Sequence, residues 1–311
     1  MHKIYVIIVT YNGKKWYDKC FGSLLQSTIP CNIVVVDNDS NDGTVEYIRS
    51  TFPQIHVIEE KENLGFAKAN NVGIKYALEQ NADYVLLQNQ DTWVKKNFLE
   101  ELLQTFSDNK HTGIASGMQF YGDESGLIYP FYIYMPYEFK NDCYKSQVKK
   151  YYQTEFMNAA AWLISRECIE KVGLFDTLLF AHFGEDNNYA QRVNYHGFKI
   201  MINTESHYCH DIKDRKEKPY TEGVFGHVNA SLAEKIQLGD INVDCDAMLR
   251  ERLKRYQRRV YVWALLMRPS KVKHCKSHIA LLRDILKSRE ENKKPYNAEW
   301  NSCLLAKPIK L

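Results

Sequence analysis

No apolar run in the 311-residue chain is long enough to span a bilayer. That absence sets aside integral membrane proteins with helical spans, including processive polysaccharide synthases, whose Gln-x-x-Arg-Trp motif is missing as well. The eight cysteines, at 20, 31, 143, 168, 209, 245, 275 and 303, form no Cys-x-x-Cys pair. Paired structural zinc ligands and dithiol redox motifs are therefore not expected. The chain runs almost at once into a β-branched stretch with no signal-peptide pattern before it, so the expectation is reduced thiols in a cytoplasmic protein. Internal repeats and low-complexity tracts are also lacking. The length suits one catalytic domain with an appendage.

What is present reads as an α/β protein. Lys3–Thr10 and Asn32–Val36 are β-branched runs without alternation, the pattern of parallel strands covered on both faces. A short strand is expected at His56–Glu59, and a fourth begins the stretch Val85–Val94. A helical pattern follows the first strand from about Lys15 to Gln26. Four strand-helix units in about 105 residues predict a doubly wound, mostly parallel sheet with right-handed crossovers. Ligands of such sheets bind beyond the carboxyl ends of the strands.

Each predicted strand end is polar: Thr10-Tyr11-Asn12-Gly13, then Asp37-Asn38-Asp39-Ser40-Asn41-Asp42-Gly43-Thr44, then Asn63 to Asn71, then Asn89-Gln90-Asp91. A carboxylate at Asp91 can hold Mn²⁺ or Mg²⁺ against a diphosphate, because both cations take hard oxygen ligands. Asp37 and Asp39 can accept from a base imide or ribose hydroxyls. Gly65 lets backbone approach a ligand, and the helix after it, with Lys68 one turn in, offers N–H groups to phosphate. The plainer account is turns and caps, since Asn, Asp and Gly form them readily. Four such clusters on one rim favour a site.

The segments Val-Thr-Tyr-Asn-Gly at 9–13, Val-Val-Asp-Asn-Asp-Ser-Asn-Asp-Gly-Thr at 35–44, Asn-Leu-Gly-Phe-Ala-Lys-Ala-Asn-Asn at 63–71 and Leu-Leu-Gln-Asn-Gln-Asp-Thr at 86–92 resemble the family 2 inverting glycosyltransferases, in their non-processive, rhamnosyltransferase-like branch. The resemblance implies a nucleotide-binding domain of GT-A type. It implies donor contacts from Thr10, Tyr11, Asn12, Asp37, Asp39, Asn63, Gly65, Lys68, Asn71 and Asn89. Asp91 would be the last carboxylate of the family's Asp-x-Asp metal motif, whose first position here is Asn89.

Downstream, Asn158 to Arg166, the Gly173-Leu174-Phe175-Asp176 turn and Glu185-Asp186 match the family's acceptor-side segments. A carboxylate at a helix N-terminus is favoured by the dipole, which predicts that it stays ionised at neutral pH and suits a general base. The resemblance gives that role to Asp186, with Glu185 as the other candidate; Asn188 stands where the family often has a further Asp. In Ser206-His207-Tyr208-Cys209-His210, His210 matches a family His that reaches metal or diphosphate. Zinc would need more ligands than this segment offers. The aromatic stretch at 121–156 suits either an acceptor cleft or a packed insertion.

Charge is uneven. Residues 250–294 carry 15 Lys or Arg and 4 Asp or Glu, a net of +11 in a chain of +3. Leu249, Leu253, Tyr256, Val260, Trp263 and Met267 recur at alternating four and three, and after Pro269 the spacing resumes with Val272, Cys275, Ile279, Leu282 and Leu286. Two amphipathic basic helices follow. They would either meet an anionic inner membrane face, where a lipid-linked acceptor would sit, or pack on the catalytic domain or a second subunit. No nucleic-acid module accompanies the charge.

The expectation is thus a catalytic domain over 1–240, with a nucleotide-sugar half at 1–115 and an acceptor half at 116–240, and a basic helical region over 241–311. The expected reaction is metal-dependent, inverting transfer from a uracil or thymine nucleoside-diphosphate sugar to a saccharide or lipid-linked saccharide. A sugar-phosphate nucleotidyltransferase would need a Gly-rich, Arg- and Lys-bearing loop after the first strand, which Thr10–Lys15 does not supply. A non-catalytic saccharide- or nucleotide-binding scaffold would bind donor without turnover.

Overall fold

The computed structural model describes residues 2–180, 183–212, 230–295 and 298–305. The early apolar runs form β1 (Ile4–Thr10), β2 (Asn32–Asp37), β3 (His56–Glu59) and β4 (Tyr84–Asn89), all parallel, in the order β3-β2-β1-β4. The crossovers carry α1 (Tyr17–Leu25), α2 (Thr44–Thr51) and α3 (Gly65–Glu79). Ile4, Val6 and Ile8 pack on Tyr17, Phe21 and Leu24 of α1. Tyr5 and Ile7 face the opposite way, toward Ala69, Ile74 and Ala77 of α3. Both faces of β1 are buried, which is why its sequence shows no polar alternation.

The fourth strand ends where expected, at Asn89-Gln90-Asp91, and a further short strand follows it. Strand β4 ends at Asn89, and after Gln90-Asp91 the chain resumes as β5 (Thr92–Val94). Next come α4 (Phe98–Asp108), β6 (Thr112–Tyr121), α5 (Tyr129–Tyr134), α6 (Tyr137–Tyr144), β7 (Tyr151–Thr154), β8 (Ala161–Ser165), α7 (Arg166–Val172), α8 (Glu185–Tyr195) and β9 (Lys199–His210). The sheet continues from β4 through β8, β6 and β9 to β5, with β7 also on β9. Strand β8 runs against both β4 and β6, while β6 and β9 are parallel. The start of β8 therefore lies beside the end of β4. Strand β5 pairs antiparallel with β9, setting Thr92 opposite His210. The aromatic insertion is anchored by Phe131, Met135 and Phe139 in the main core.

Beyond the sheet come α9 (Ala230–Gly239), α10 (Asp246–Leu265), α11 (Pro269–Asn292) and α12 (Ala298–Leu305). The predicted pair of basic helices is an antiparallel hairpin, with Pro269 at the first turn of α11, where its missing N–H costs nothing. Leu249, Leu253 and Tyr256 pack with Leu282, Ile285 and Leu286 around Leu179, Phe180 and Leu238. This part of the stripe follows the packing alternative. Arg289 fastens the hairpin base: it pairs with Asp246 at 2.5 Å and donates to the carbonyls of Leu238, Asp240 and Val243. At the other end, Met267 N–H donates to Ala264 and Arg268 N–H to Trp263, a helix stop that usually carries glycine. Met267 holds φ at 51° there, a strain on the order of 1 kcal/mol. Among the described residues, no helix is long and apolar enough to cross a membrane.

Candidate active site

Parallel register brings the predicted polar ends to one rim. Thr10 is level with Asp37, and Val9 with Asn89. The buried Asp37 carboxylate accepts from Thr10 Oγ1 at 2.8 Å, Ser40 Oγ at 2.7 Å and Ser40 N–H at 2.9 Å. A carboxylate has room for about four donors, so one lone pair on Oδ2 remains for a ligand. Asp39 is exposed with φ at 64°, and Tyr11 and Asn12 are exposed beside it. Asn12 Oδ1 accepts from Asn41 N–H at 2.9 Å, and Asn12 N–H donates to Ser40 Oγ at 3.0 Å, tying the first two loops together.

Two residues with no assigned role shape this part of the rim. Gln90 holds the Tyr11 peptide from both sides, accepting its N–H at 3.0 Å and donating to its carbonyl at 3.2 Å. Asn38 accepts from Leu64 N–H at 3.2 Å and donates to the Gly65 carbonyl at 3.3 Å. Gly65, at φ 76°, opens α3 with its N–H on Asn63 Oδ1 at 2.9 Å, and Lys68 is buried in the next turn. Asn71 departs from the expected donor contact. It is fully buried, and its amide is used twice on the Phe175 backbone, donating at 2.9 Å and accepting at 2.8 Å. Its place is as a strut between α3 and the Gly173–Asp176 turn.

The break between β4 and β5 explains the next feature. Asp91 and His210 are both buried, with Nε2 3.1 Å from Oδ1. Two neighbouring ligands of an octahedral cation bound at about 2.1 Å stand roughly 3 Å apart, so the pair fits one edge of such a shell. His210 Nε2 has no hydrogen-bond partner among the described residues, nor has Gln119 Oε1, while Gln119 Nε2 lies 2.6 Å from His210 Nδ1. Turning the Gln119 amide would set Oε1 on an Nδ1–H and leave the Nε2 lone pair facing Asp91, as ligation needs. No cluster of three or more His, Cys, Asp or Glu suited to a metal occurs among the described residues. A bound Mn²⁺ or Mg²⁺ would complete its shell with water and substrate phosphate, as such ions commonly do. His207 instead faces the carbonyl of Thr204 at 2.8 Å.

On the acceptor side, Gly184 at φ 85° turns the chain into α8, where Glu185 and Asp186 lie in the first turn. Asp186 accepts from Asn187 N–H at 2.8 Å and from Ala159 N–H. Ala160, the next residue, accepts from Asn89 N–H at 3.0 Å. The carboxylate of α8 is thereby joined to the end of β4 through two backbone steps. Burial raises the pKa of Asp186. Burial, then the neighbouring Asp186, pushes Glu185 up to about 7. At Glu185 desolvation outweighs the helix dipole expected to keep the acid ionised; at Asp186 the hydrogen bond from Asn187 N–H opposes the effect of burial. Asn188 points inward, accepting from buried Arg192 at 3.1 Å, while Arg192 also donates to Leu174 and Val172 carbonyls. Tyr134 of the aromatic insertion lies close enough to Asp186 for that charge to raise its pKa, after burial.

Residues 5–173 match the family model described as glycosyl transferase family 2. The chain belongs to that family. The glycosyltransferase is 27% identical over 216 residues to the dTDP-rhamnosyl transferase RfbF of Shigella flexneri, covering 69% of this chain and 71% of that protein. It is 26% identical to glycosyltransferase GlyA of Streptococcus pneumoniae over 76% of this chain but 34% of GlyA. Among solved structures it resembles a mannosyltransferase of Pyrobaculum calidifontis in complex with GDP-Man and Mn²⁺, with TM-score 0.52, 17% identity and coverage of 93% and 73%. It also resembles GalNAc-T7 with UDP, GalNAc and Mn²⁺, with TM-score 0.55, 17% identity and coverage of 68% and 44%. These likenesses identify the fold as GT-A.

Proposed function

We propose that this glycosyltransferase moves a hexosyl group from a pyrimidine nucleoside-diphosphate sugar to an acceptor hydroxyl, with inversion at the anomeric carbon and with Mn²⁺ or Mg²⁺ as cofactor. The observation that carries the reading is the joining of two unlike centres on one rim. A buried Asp91–His210 edge and a buried carboxylate pair at Asp186 and Glu185 are connected through Ala159 and Ala160. The remaining lone pair of Asp37 suits an imide N–H of uracil or thymine, and Asp39 suits ribose hydroxyls. Asp91 and His210 would hold the cation, which when bound neutralises charge on the departing diphosphate.

Asp186 takes the proton of the acceptor O–H as that oxygen forms its bond to the anomeric carbon. The bond from the same carbon to the diphosphate oxygen breaks on the opposite face, and the electron pair leaves with the nucleoside diphosphate. A carboxyl poised near neutrality at Glu185 can hold this proton afterwards. Since RfbF is described as a dTDP-rhamnosyl transferase, dTDP-rhamnose is the first donor to test.

The test is a thermal-shift and transfer screen of nucleotide-sugars with and without Mn²⁺. A matching donor raises the melting temperature by mass action, and the shift falls with EDTA or Asp91→Ala. Asp91→Ala leaves the fold intact, because the residue lies at a strand exit outside the apolar core, and abolishes transfer. Full transfer activity in excess EDTA would remove the cation from the reading; tight donor binding with no turnover on any acceptor would favour the scaffold instead.

A further inference from the structure

Part of the basic hairpin has no role in the site or in the core. At the corner joining α10 and α11, Tyr261, Val262, Leu265, Leu266 and Met267 are between 51% and 86% exposed. Contiguous apolar side chains of this size on a surface mark a contact with something apolar. The packed seam of the hairpin lies elsewhere, near its base. From Leu249, the anchored residue of α10, the helix runs sixteen residues to Leu265, or roughly 24 Å at the α-helical rise.

Charge identifies the partner. From Arg252 to Arg283 the sequence holds ten Lys or Arg and not one Asp or Glu. Among the described residues, ion pairs engage only Arg252, with Glu234, and Arg255, with Glu251. A surface groove at the corner combines Ala264, Met267, Pro269 and Val272 with Lys273 and Lys276. Apolar side chains at a projecting end, ringed by unpaired cations, match the boundary between the anionic headgroups and the acyl chains of a bilayer. A second copy suits the surface less well, because a twofold contact would set two cationic ends against each other. The corner also keeps Met267 at φ 51° and 86% exposure, where glycine would relax the turn but present nothing to insert.

We propose that the corner of the α10–α11 hairpin docks on an anionic lipid bilayer, Leu265, Leu266 and Met267 entering the acyl boundary while Arg258, Arg259 and Arg268 meet lipid phosphates. The inference stands apart from the transfer reaction. Because the hairpin base packs on Leu179 and Phe180, just before α8, docking would fix the height of Asp186 above the lipid surface.

Co-sedimentation of the full chain with vesicles tests it, comparing phosphatidylcholine alone with phosphatidylcholine plus phosphatidylglycerol. Binding is expected only with the anionic lipid, and it should weaken at least about tenfold between low and high salt. Leu265→Ser with Leu266→Ser should reduce affinity about tenfold or more while unfolding is unchanged. Met267→Gly should reduce it too while leaving the protein as stable or more so. Arg258→Glu with Arg259→Glu and Arg268→Glu should abolish it. Failure to bind anionic vesicles at low salt overturns the proposal, as does binding indifferent to the apolar variants. Sedimentation velocity supplies the remaining arm: a dimer that these variants convert to a monomer would assign the corner to a second copy instead.

Discussion

At Glu185, a carboxyl pushed up to about 7 by burial and then by Asp186 ties activity to stability. The folded protein keeps a proton there that the unfolded chain releases above about 4.5, the ordinary value. Stability therefore falls as pH rises from about 4.5 to about 7, and the deficit persists above that. Removing the charge with Glu185→Gln should stabilise the protein at pH 8 by up to about 3 kcal/mol and leave it little changed at pH 4. Urea unfolding at both pH values checks this; an equal gain at both would show that ionisation is not the cause. The same substitution separates the two acids. Asp186→Asn should retain donor binding and lose turnover by about a thousandfold or more, since it cannot take the proton. An active Asp186→Asn beside a dead Glu185→Gln, in single-turnover transfer, would exchange their roles. Sequence singled out Asp91, His210, Asp186 and Glu185 because motif context marks them. It gave no sign of Gln119 or Asn38, nor of the inward turn of Asn71. Those roles arise from contacts with His210, Gly65 and Phe175, which only the folded sheet brings near.

The first four strands were readable because β-branched runs buried on both faces have no polar alternation to confuse them. Strand β5 was not, since Gln90-Asp91 interrupts a stretch whose apolar character continues to Val94. Nor was the reversal of β8, which depends on β4 and β6 as neighbours and not on its own composition. The basic helices were predicted correctly as a pair, but periodicity could not say that their stripe would bury only toward the base. What decides this is Arg289, whose guanidinium gathers Asp246 and the carbonyls of Leu238, Asp240 and Val243. Arg289→Met keeps much of the apolar stem and leaves those acceptors without their donor. It should cost about 3 kcal/mol or more and hasten proteolysis between α9 and α10. A loss below about 0.5 kcal/mol in urea unfolding, the range of an ordinary surface substitution, would show that the apolar seam alone holds the base.

Across the whole molecule, the hairpin is joined to the catalytic sheet by a continuous set of contacts. Ser288 and Asn292 of α11 donate to buried Asp176, the Asn292 bond at 3.0 Å. The preceding residue, Phe175, is held on both backbone groups by Asn71 of α3. Arg192 of α8 braces the same turn through the Leu174 and Val172 carbonyls, and also donates to Asn292 at 3.4 Å. The Asp176 turn thus receives α3, α8 and α11 together. Apolar packing of Leu282 and Ile285 on Leu179 and Phe180 continues the junction. The α10–α11 hairpin is therefore distinct in composition from the sheet region but shares a buried apolar cluster with it at Leu179 and Phe180. Domains that share a core unfold together, whereas domains joined by a thin linker unfold in steps. Denaturant unfolding followed by far-ultraviolet circular dichroism and by tryptophan fluorescence should give one coincident transition. Ile285→Ala should move that transition as a whole, by about 2–5 kcal/mol for a buried aliphatic side chain, and with it the midpoint for loss of donor binding. Two separated transitions, with only the helical signal shifted by Ile285→Ala, would show the hairpin to be an independent domain and the Asp176 junction to carry no coupling.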